Sequence, residues 1–171
     1  MRNSALWIVG ALMVISIHAA AQTGNDQNKD KQEIRALEDR FAAAVRAKDV
    51  DAIMKGYAPG AQLFVFDATP PRQYVGFDAY KKDWQGFLAA FPGHIDKFEV
   101  QDLSIETDGT LAYSHSIQPL VATAKDGSKF SFTARVTDGY RKINGKWLIT
   151  LEHVSVPVDL ETGKADINSK P

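Results

Sequence analysis

The sequence predicts an α+β fold: three N-terminal helices packed on a strongly curved antiparallel sheet, forming a cone-shaped α+β barrel with an internal pocket. Three observations predict it. Apolar residues recur at helical spacing through the first half of the chain, and they alternate with polar ones in the second half. Between the alternating runs stand Asp108-Gly109, Asp126-Gly127 and Asn144-Gly145, each a residue tolerant of positive φ followed by glycine. That pairing is what tight hairpins demand, so the second half reads as an antiparallel meander of four long strands. Helices followed by a meander bury their stripes on one face of the sheet. Long bulged strands curl, and a curled sheet against helices encloses a conical cavity.

The first helix is marked by Ile34, Leu37, Phe41, Ala44 and Val45, a single apolar stripe with Arg35, Asp39, Arg40 and Arg46 between. Asp30 followed by Glu33 has the spacing of a capping box, which starts this helix near residue 30. A short second helix is capped by Asp49, runs through Ile53 and Met54, and ends at Tyr57-Ala58-Pro59-Gly60. Leu63 to Phe66 is a short strand, Thr69-Pro70-Pro71 forces a loop, and Gly76 precedes a third helix with Tyr80, Trp84, Phe87, Leu88 and Phe91 on its buried face. Phe98 and Val100 alternate on one phase and Leu103 and Ile105 on the other, which predicts a β-bulge near Gln101-Asp102. Leu111 to Ala124 is a long strand. Phe130, Phe132, Ala134 and Val136 define the next, and Trp147, Ile149 and Leu151 the last.

The first 21 residues have the anatomy of a secretory signal: Arg2, an apolar run from Ala5 to Ile17, then Ala19-Ala20-Ala21. The run is shorter than the roughly 20 apolar residues a spanning helix needs. The expected organisation is therefore a signal peptide over 1–21, a polar disordered leader over 22–31, one domain over 32–158 and a C-terminal tail over 159–171. The protein is expected in the periplasm or the medium, with no membrane attachment after cleavage. The chain has no cysteine, which excludes disulfides, thiolate metal sites and a cysteine nucleophile. The formal net charge of −1 becomes −2 when Arg2 leaves with the signal, so there is no basic surface for nucleic acid. The partners expected are a small-molecule ligand and a second copy of the chain in a homodimer, whose apolar area the Phe132 or Tyr113 face would supply.

The order of elements and several local motifs resemble the nuclear transport factor 2-like superfamily, in its SnoaL-like and ketosteroid isomerase-like branch. The motifs are Ala47 to Ile53 with Tyr57-Ala58-Pro59-Gly60-Ala61, Gly76 before the third helix, and the closing Arg135-Val136-Thr137, Asn144-Gly145-Lys146-Trp147 and His153 to Pro157. The resemblance covers roughly residues 32–158 and implies the fold more than the chemistry, because one fold hosts many activities. Ketosteroid isomerases carry an oxyanion-binding tyrosine where Phe41 stands and a general-base aspartate where Val65 stands; Asp67 lies two residues on, and Asp138 matches the second acid. One match in three does not imply steroid isomerase activity.

Among residues able to carry chemistry, the resemblance makes His153 a pocket residue, and alternation from Trp147 turns it inward; otherwise it is a hydrogen-bonded core histidine. Asp67, the second catalytic candidate, either caps the turn into Ala68-Thr69 or faces the cavity. The ligand-binding candidates are Arg135, Tyr57, Trp84, His115 and Ser155. Arg135 either pairs with Glu152 on the neighbouring strand or binds an anionic group. His115 shares a face with Leu111, Tyr113 and Ile117. Tyr57, Trp84 and Phe87 line a pocket mouth or belong to the core. No metal motif, cofactor motif, Gly-x-Ser-x-Gly elbow or phosphate loop is present, so no metal and no cofactor are expected. Two functions follow: a pocket protein with acid–base isomerase, lyase or dehydratase chemistry, or a non-catalytic binding or association module. A cavity holding His153 beside a carboxylate favours the first; one filled by Phe41, Phe66 and Trp84 favours the second.

Overall fold

The computed structural model describes residues 6–170, with side chains from residue 24 onward, so the side chains of residues 1–21, the segment expected to be a signal, lie outside the described residues. Three helices, α1 (Leu6–Ala47), α2 (Val50–Met54) and α3 (Phe77–Ala90), pack on a mixed sheet. Its seven strands among the described residues are β1 (Phe64–Phe66), β2 (Tyr74–Val75), β3 (Ile95–Phe98), β4 (Gln101–Thr107), β5 (Leu111–Thr123), β6 (Lys129–Ile143) and β7 (Lys146–Ser155). The order is β2-β1-β7-β6-β5-β3, with β4 also on β5, so the sheet curls without closing. It is not antiparallel throughout: β1 runs parallel to β7, with Phe64 beside Leu151 and Phe66 beside His153. The chain between these two strands passes through α3 and the whole meander, so no hairpin dictates their direction.

The Asx-Gly turns sit where the strands reverse, with φ of 97° at Gly109, 84° at Gly127, and 51° and 76° at Asn144 and Gly145. Besides the register shift between Ile95 and Lys97 on β3, two bulges set which side chains face inward. The first lies between Gln101 and Ser104, where Asp102 has φ of 52° and the pairing with β5 shifts. The second was not expected. Gly139 pairs with Leu151 but Tyr140 pairs with Ile149, so Thr150 is the extra residue on β7. One extra residue reverses the alternation beyond it. Trp147 and Ile149 are buried, and past the bulge Glu152 is buried while Leu151 and His153 are exposed.

Helix α1 supplies the core with Ile34, Leu37, Phe41, Ala44 and Val45, each at most 6% exposed. The capping box is absent, because the helix runs straight through residue 30 and the segment 22–31, expected as a disordered leader, is helical. Asp30 is instead anchored to the sheet: its Oδ1 accepts from Trp147 Nε1 at 3.1 Å and from Lys142 Nζ at 2.6 Å. This partner on a distant strand orders a segment whose own composition would leave it solvated. Asp30→Ala is expected to cost about 1–3 kcal/mol in urea unfolding, because the buried indole N–H loses its acceptor. An unchanged midpoint would show that the contact contributes nothing.

Candidate functional site

A cavity of about 700 Å³ lies between α1, α3 and the concave face of the sheet. Its wall is mostly aromatic and aliphatic, with Phe41, Trp84, Phe87, Phe98 and Phe132 among the lining residues. The rings meet edge to face along the wall: Phe41 and Trp84 lie 5.7 Å apart between centroids, Trp84 and Phe87 5.8 Å. Phe41 and Trp84 therefore line the space rather than fill it, and Phe66 is on the outside of the sheet, 39% exposed.

Two buried polar side chains stand in this apolar wall, Gln118 and Glu152, and the ionisable one is Glu152, 4% exposed. The Tyr57 hydroxyl donates to its Oε2 at 2.6 Å and the Tyr80 hydroxyl donates to its Oε1. Burial pushes the Glu152 carboxyl up to about 7; the two tyrosine donors pull the other way, and the charges of Asp67 and Glu38 add to the rise. Burial also drives the Tyr57 and Tyr80 hydroxyls well upward, so both stay protonated as donors. A carboxylate offers about four acceptor positions, and the tyrosines take two, which leaves others for a ligand.

Behind Glu152 lies a second buried group of acids. Asp138 faces Glu152 directly across β6 and β7, both on the inner side. Tyr140 donates to Glu38 Oε1 at 2.7 Å and lies 2.8 Å from Ser114 Oγ, while Asp138 Oδ1 has no partner. Burial raises Asp138 far above the usual carboxylate range, with the charges of Glu38 and Glu152 adding to it. Burial likewise raises Glu38 to about 7 against the Tyr140 hydrogen bond. Three carboxyls this close cannot all be ionised at neutral pH: Asp138 is held far above the usual range, and Glu38 and Glu152 are both raised to about 7.

The candidates from the sequence divide between the two faces of the sheet. Tyr57, Trp84 and Asp67 are on the concave side, where Tyr57 is buried against Glu152 and the other two line the cavity. Asp67 does both things expected of it: its Oδ1 accepts from Thr69 N at 3.2 Å, and it borders the cavity, where burial raises its pKa. His153 is exposed on the outer face and packs edge-on against Phe66, because the bulge at Thr150 reverses the expected alternation. Ser155 lies on the same outer phase, and its hydroxyl reaches only the carbonyl of Arg135. His115 is exposed as well: the inward residues of β5 are Ala112, Ser114, Ser116, Gln118, Leu120 and Ala122. Arg135 is exposed beside Ser155 and makes no ion pair with Glu152, which faces the other way. Phe132 lines the cavity, so of the two faces expected to supply apolar area for a dimer, only that of Tyr113 looks outward. Among the described residues no group of three His, Asp or Glu is placed to hold a metal ion.

Glu152 is the residue that sequence reasoning missed. Its signal was present: apolar residues sit at odd positions up to Leu151 and at even positions in Val154 and Val156, a phase switch that marks a bulge.

Residues 34–159 match the SnoaL-like domain. A crystal structure of an NTF2-like protein of unknown function from Pseudomonas putida KT2440 is similar, with 33% identity over 84% of this chain and 98% of that one, at a TM-score of 0.75. A protein of the NTF2-like family from Streptomyces avermitilis, described as a candidate dehydratase, shares the fold at 14% identity over 75% and 97% of the two chains, TM-score 0.66. A candidate calcium/calmodulin-dependent protein kinase II association domain from Xanthomonas campestris is 26% identical over 72% and 84%, TM-score 0.57. Among curated proteins none matches this chain with significance.

Proposed function

Because the chain belongs to the SnoaL-like domain family, we propose that it is an exported pocket protein that moves a proton on a small, largely apolar ligand, as an isomerase, lyase or dehydratase does. The observation that carries this reading is Glu152: a carboxyl with a pKa of about 7, held by two tyrosine donors in the wall of an apolar cavity. A general base works best when its pKa lies near the operating pH, and burial brings Glu152 to that condition. Tyr57 and Tyr80 fix its orientation. Asp67, on the same cavity wall, is the second acid, available to carry the proton to or from solvent.

Since the substrate is unidentified, the test uses an apolar carbon acid. In deuterated buffer at pH 7, the protein should exchange the α-protons of 2-tetralone well above the buffer rate, followed by NMR. Exchange at the buffer rate would sink the acid–base reading.

The second reading, an association module, is favoured by one observation: an outward row across the sheet in which Tyr113 pairs with Gly139, Gly139 with Leu151, and Leu151 with Phe64. Tyr113 is 56% and Leu151 41% exposed, an apolar band that a second copy would cover. The two readings are compatible, since they use opposite faces. Export rests on the signal anatomy of residues 1–21; among the described residues, no helix is long and apolar enough to cross a membrane. Protein recovered by osmotic shock should begin at Gln22 and sediment at about twice the mature mass. An intact Met1 would overturn export, and a monomer at micromolar concentration would overturn the dimer.

A further inference from the structure

Strand β7 ends at Ser155, opposite Arg135, while β6 extends back to Lys129. Over Lys129 to Ala134, β6 therefore has β5 on one side and no strand on the other. The C-terminal tail fills the space. After Pro157 the chain folds into a small hairpin: Val158 bridges Ala165, Asp159 N donates to Lys164 O at 2.9 Å, and Asp166 N donates to Pro157 O at 2.9 Å. Its turn is built for the purpose, since Asp159 Oδ1 accepts from Glu161 N and Thr162 N, and Gly163 adopts φ of 68°. The hairpin returns the chain to the open edge, where Thr133 N donates to Ile167 O at 2.7 Å and Ser131 Oγ donates to Asn168 Oδ1 at 2.7 Å. An edge left with free donors invites such pairing.

This return has a consequence for the cavity. Ala165 and Ile167 line it, together with Val156 at the start of the tail. Asp138 marks the level of Glu152 on β6, and Thr133 marks the level of Ile167. Five residues of strand separate them, which is about 17 Å at the usual rise. The cavity thus runs from an acid at one end to an aliphatic wall at the other, and the wall is borrowed from outside the helix–sheet frame.

We propose that the C-terminal segment Val158–Asn168 is the specificity-determining wall of the cavity, and that Ile167 is the residue that sets the length of ligand accepted. The proposal rests on the reading of the cavity as a ligand site. The substrate class it implies is an uncharged molecule with a polar head for Glu152 and an aliphatic or alicyclic body that reaches Ile167. The attachment is slender: two hydrogen bonds to β6, and side chains from Val158 to Asn168 that are exposed throughout. Segments held this lightly open with little free energy, so the wall also yields to admit the ligand.

The probe is the series of 4-alkylphenols from ethyl to octyl, uncharged at pH 6.5, titrated by calorimetry into three forms of the mature protein. These are the full chain, Ile167→Ala, and a chain ending at Pro157. In the full chain, affinity should rise with alkyl length and then fall at least tenfold past a limit. Ile167→Ala should move that limit to longer chains while leaving the shortest phenols unchanged, and truncation should abolish it. Ile167 is 36% exposed, so the point variant keeps its fold, which a melting curve verifies. The same limit in all three forms would overturn the wall and leave the cavity reading standing. No binding of any phenol to any form would overturn both.

Discussion

Glu152→Gln should slow deuterium exchange into 2-tetralone by about 10² to 10⁴-fold, the usual contribution of a positioned base. The substitution is close to isosteric, and its carbonyl oxygen still accepts from Tyr57 or Tyr80, so the cavity keeps its shape. What is lost is the lone pair that becomes basic near pH 7. In the wild type the rate should rise with pH and level off above about 7, as Glu152 passes from acid to carboxylate. The variant should lack that inflection. An Asp67→Asn variant separates the two acids: the plateau should fall, and the inflection should move to lower pH because the Asp67 charge no longer adds to the rise at Glu152. A Glu152→Gln protein that melts like wild type and exchanges at the full rate would remove Glu152 from the chemistry.

The folded protein should lose on the order of 3 kcal/mol of stability between pH 5 and pH 8. Glu38 and Glu152 both take up their protons near 7 in the folded chain, against 4.5 for the ordinary carboxyl. A folded-state pKa raised above the unfolded value means that folding takes up protons. The stability is complete below about 4.5 and is lost as the pH rises through 7. One such carboxyl corresponds to about 3 kcal/mol, and because the acids repel one another the two do not simply add. The surface carboxylates Asp51, Asp96, Asp108 and Asp126 are lowered below 3.8 by their hydrogen-bond donors, so they titrate in more acidic solution and leave this window untouched. Urea unfolding at pH 5, 6.5 and 8 should give a falling series. Glu38→Gln should flatten it. A flat or rising wild-type series would contradict the burial argument for both carboxyls.

How much of this was legible depended on the range of the interaction concerned. Turns and helix stripes are local: Asn144-Gly145 specifies its hairpin with two residues, and Ile34 to Val45 specify a buried face with twelve. The bulge at Gln101-Asp102 was legible because apolar residues on either side of it stand on different phases. The bulge at Thr150 carries the same kind of signal, but Leu151 stays on the odd phase beside it and extends the false alternation far enough to include His153. Asp30 was legible as a polar residue at a helix start, whereas its actual partners, Trp147 and Lys142, are more than a hundred residues away and no local pattern announces them. Glu152 was hidden for a related reason. A charged residue between Leu151 and His153 looks like the solvent side of a strand, and only the two tyrosines brought from α3 and the segment after α2 make its burial tolerable.

The residue Thr150 acts on this strand as a frameshift acts on a gene. Everything downstream of it is displayed in the opposite phase, so one sequence carries two possible linings for the same space. Were the same residues paired without the bulge, Leu151, His153 and Ser155 would face the cavity and Glu152 would turn to water, an exchange of an acid for an imidazole without substituting a single side chain; deleting Thr150 would instead remove the extra residue and leave Glu152 facing inward. Straightening of the bulge at this point is therefore a short path between a carboxylate site and a histidine site, and the two-fold period of the strand makes no intermediate available.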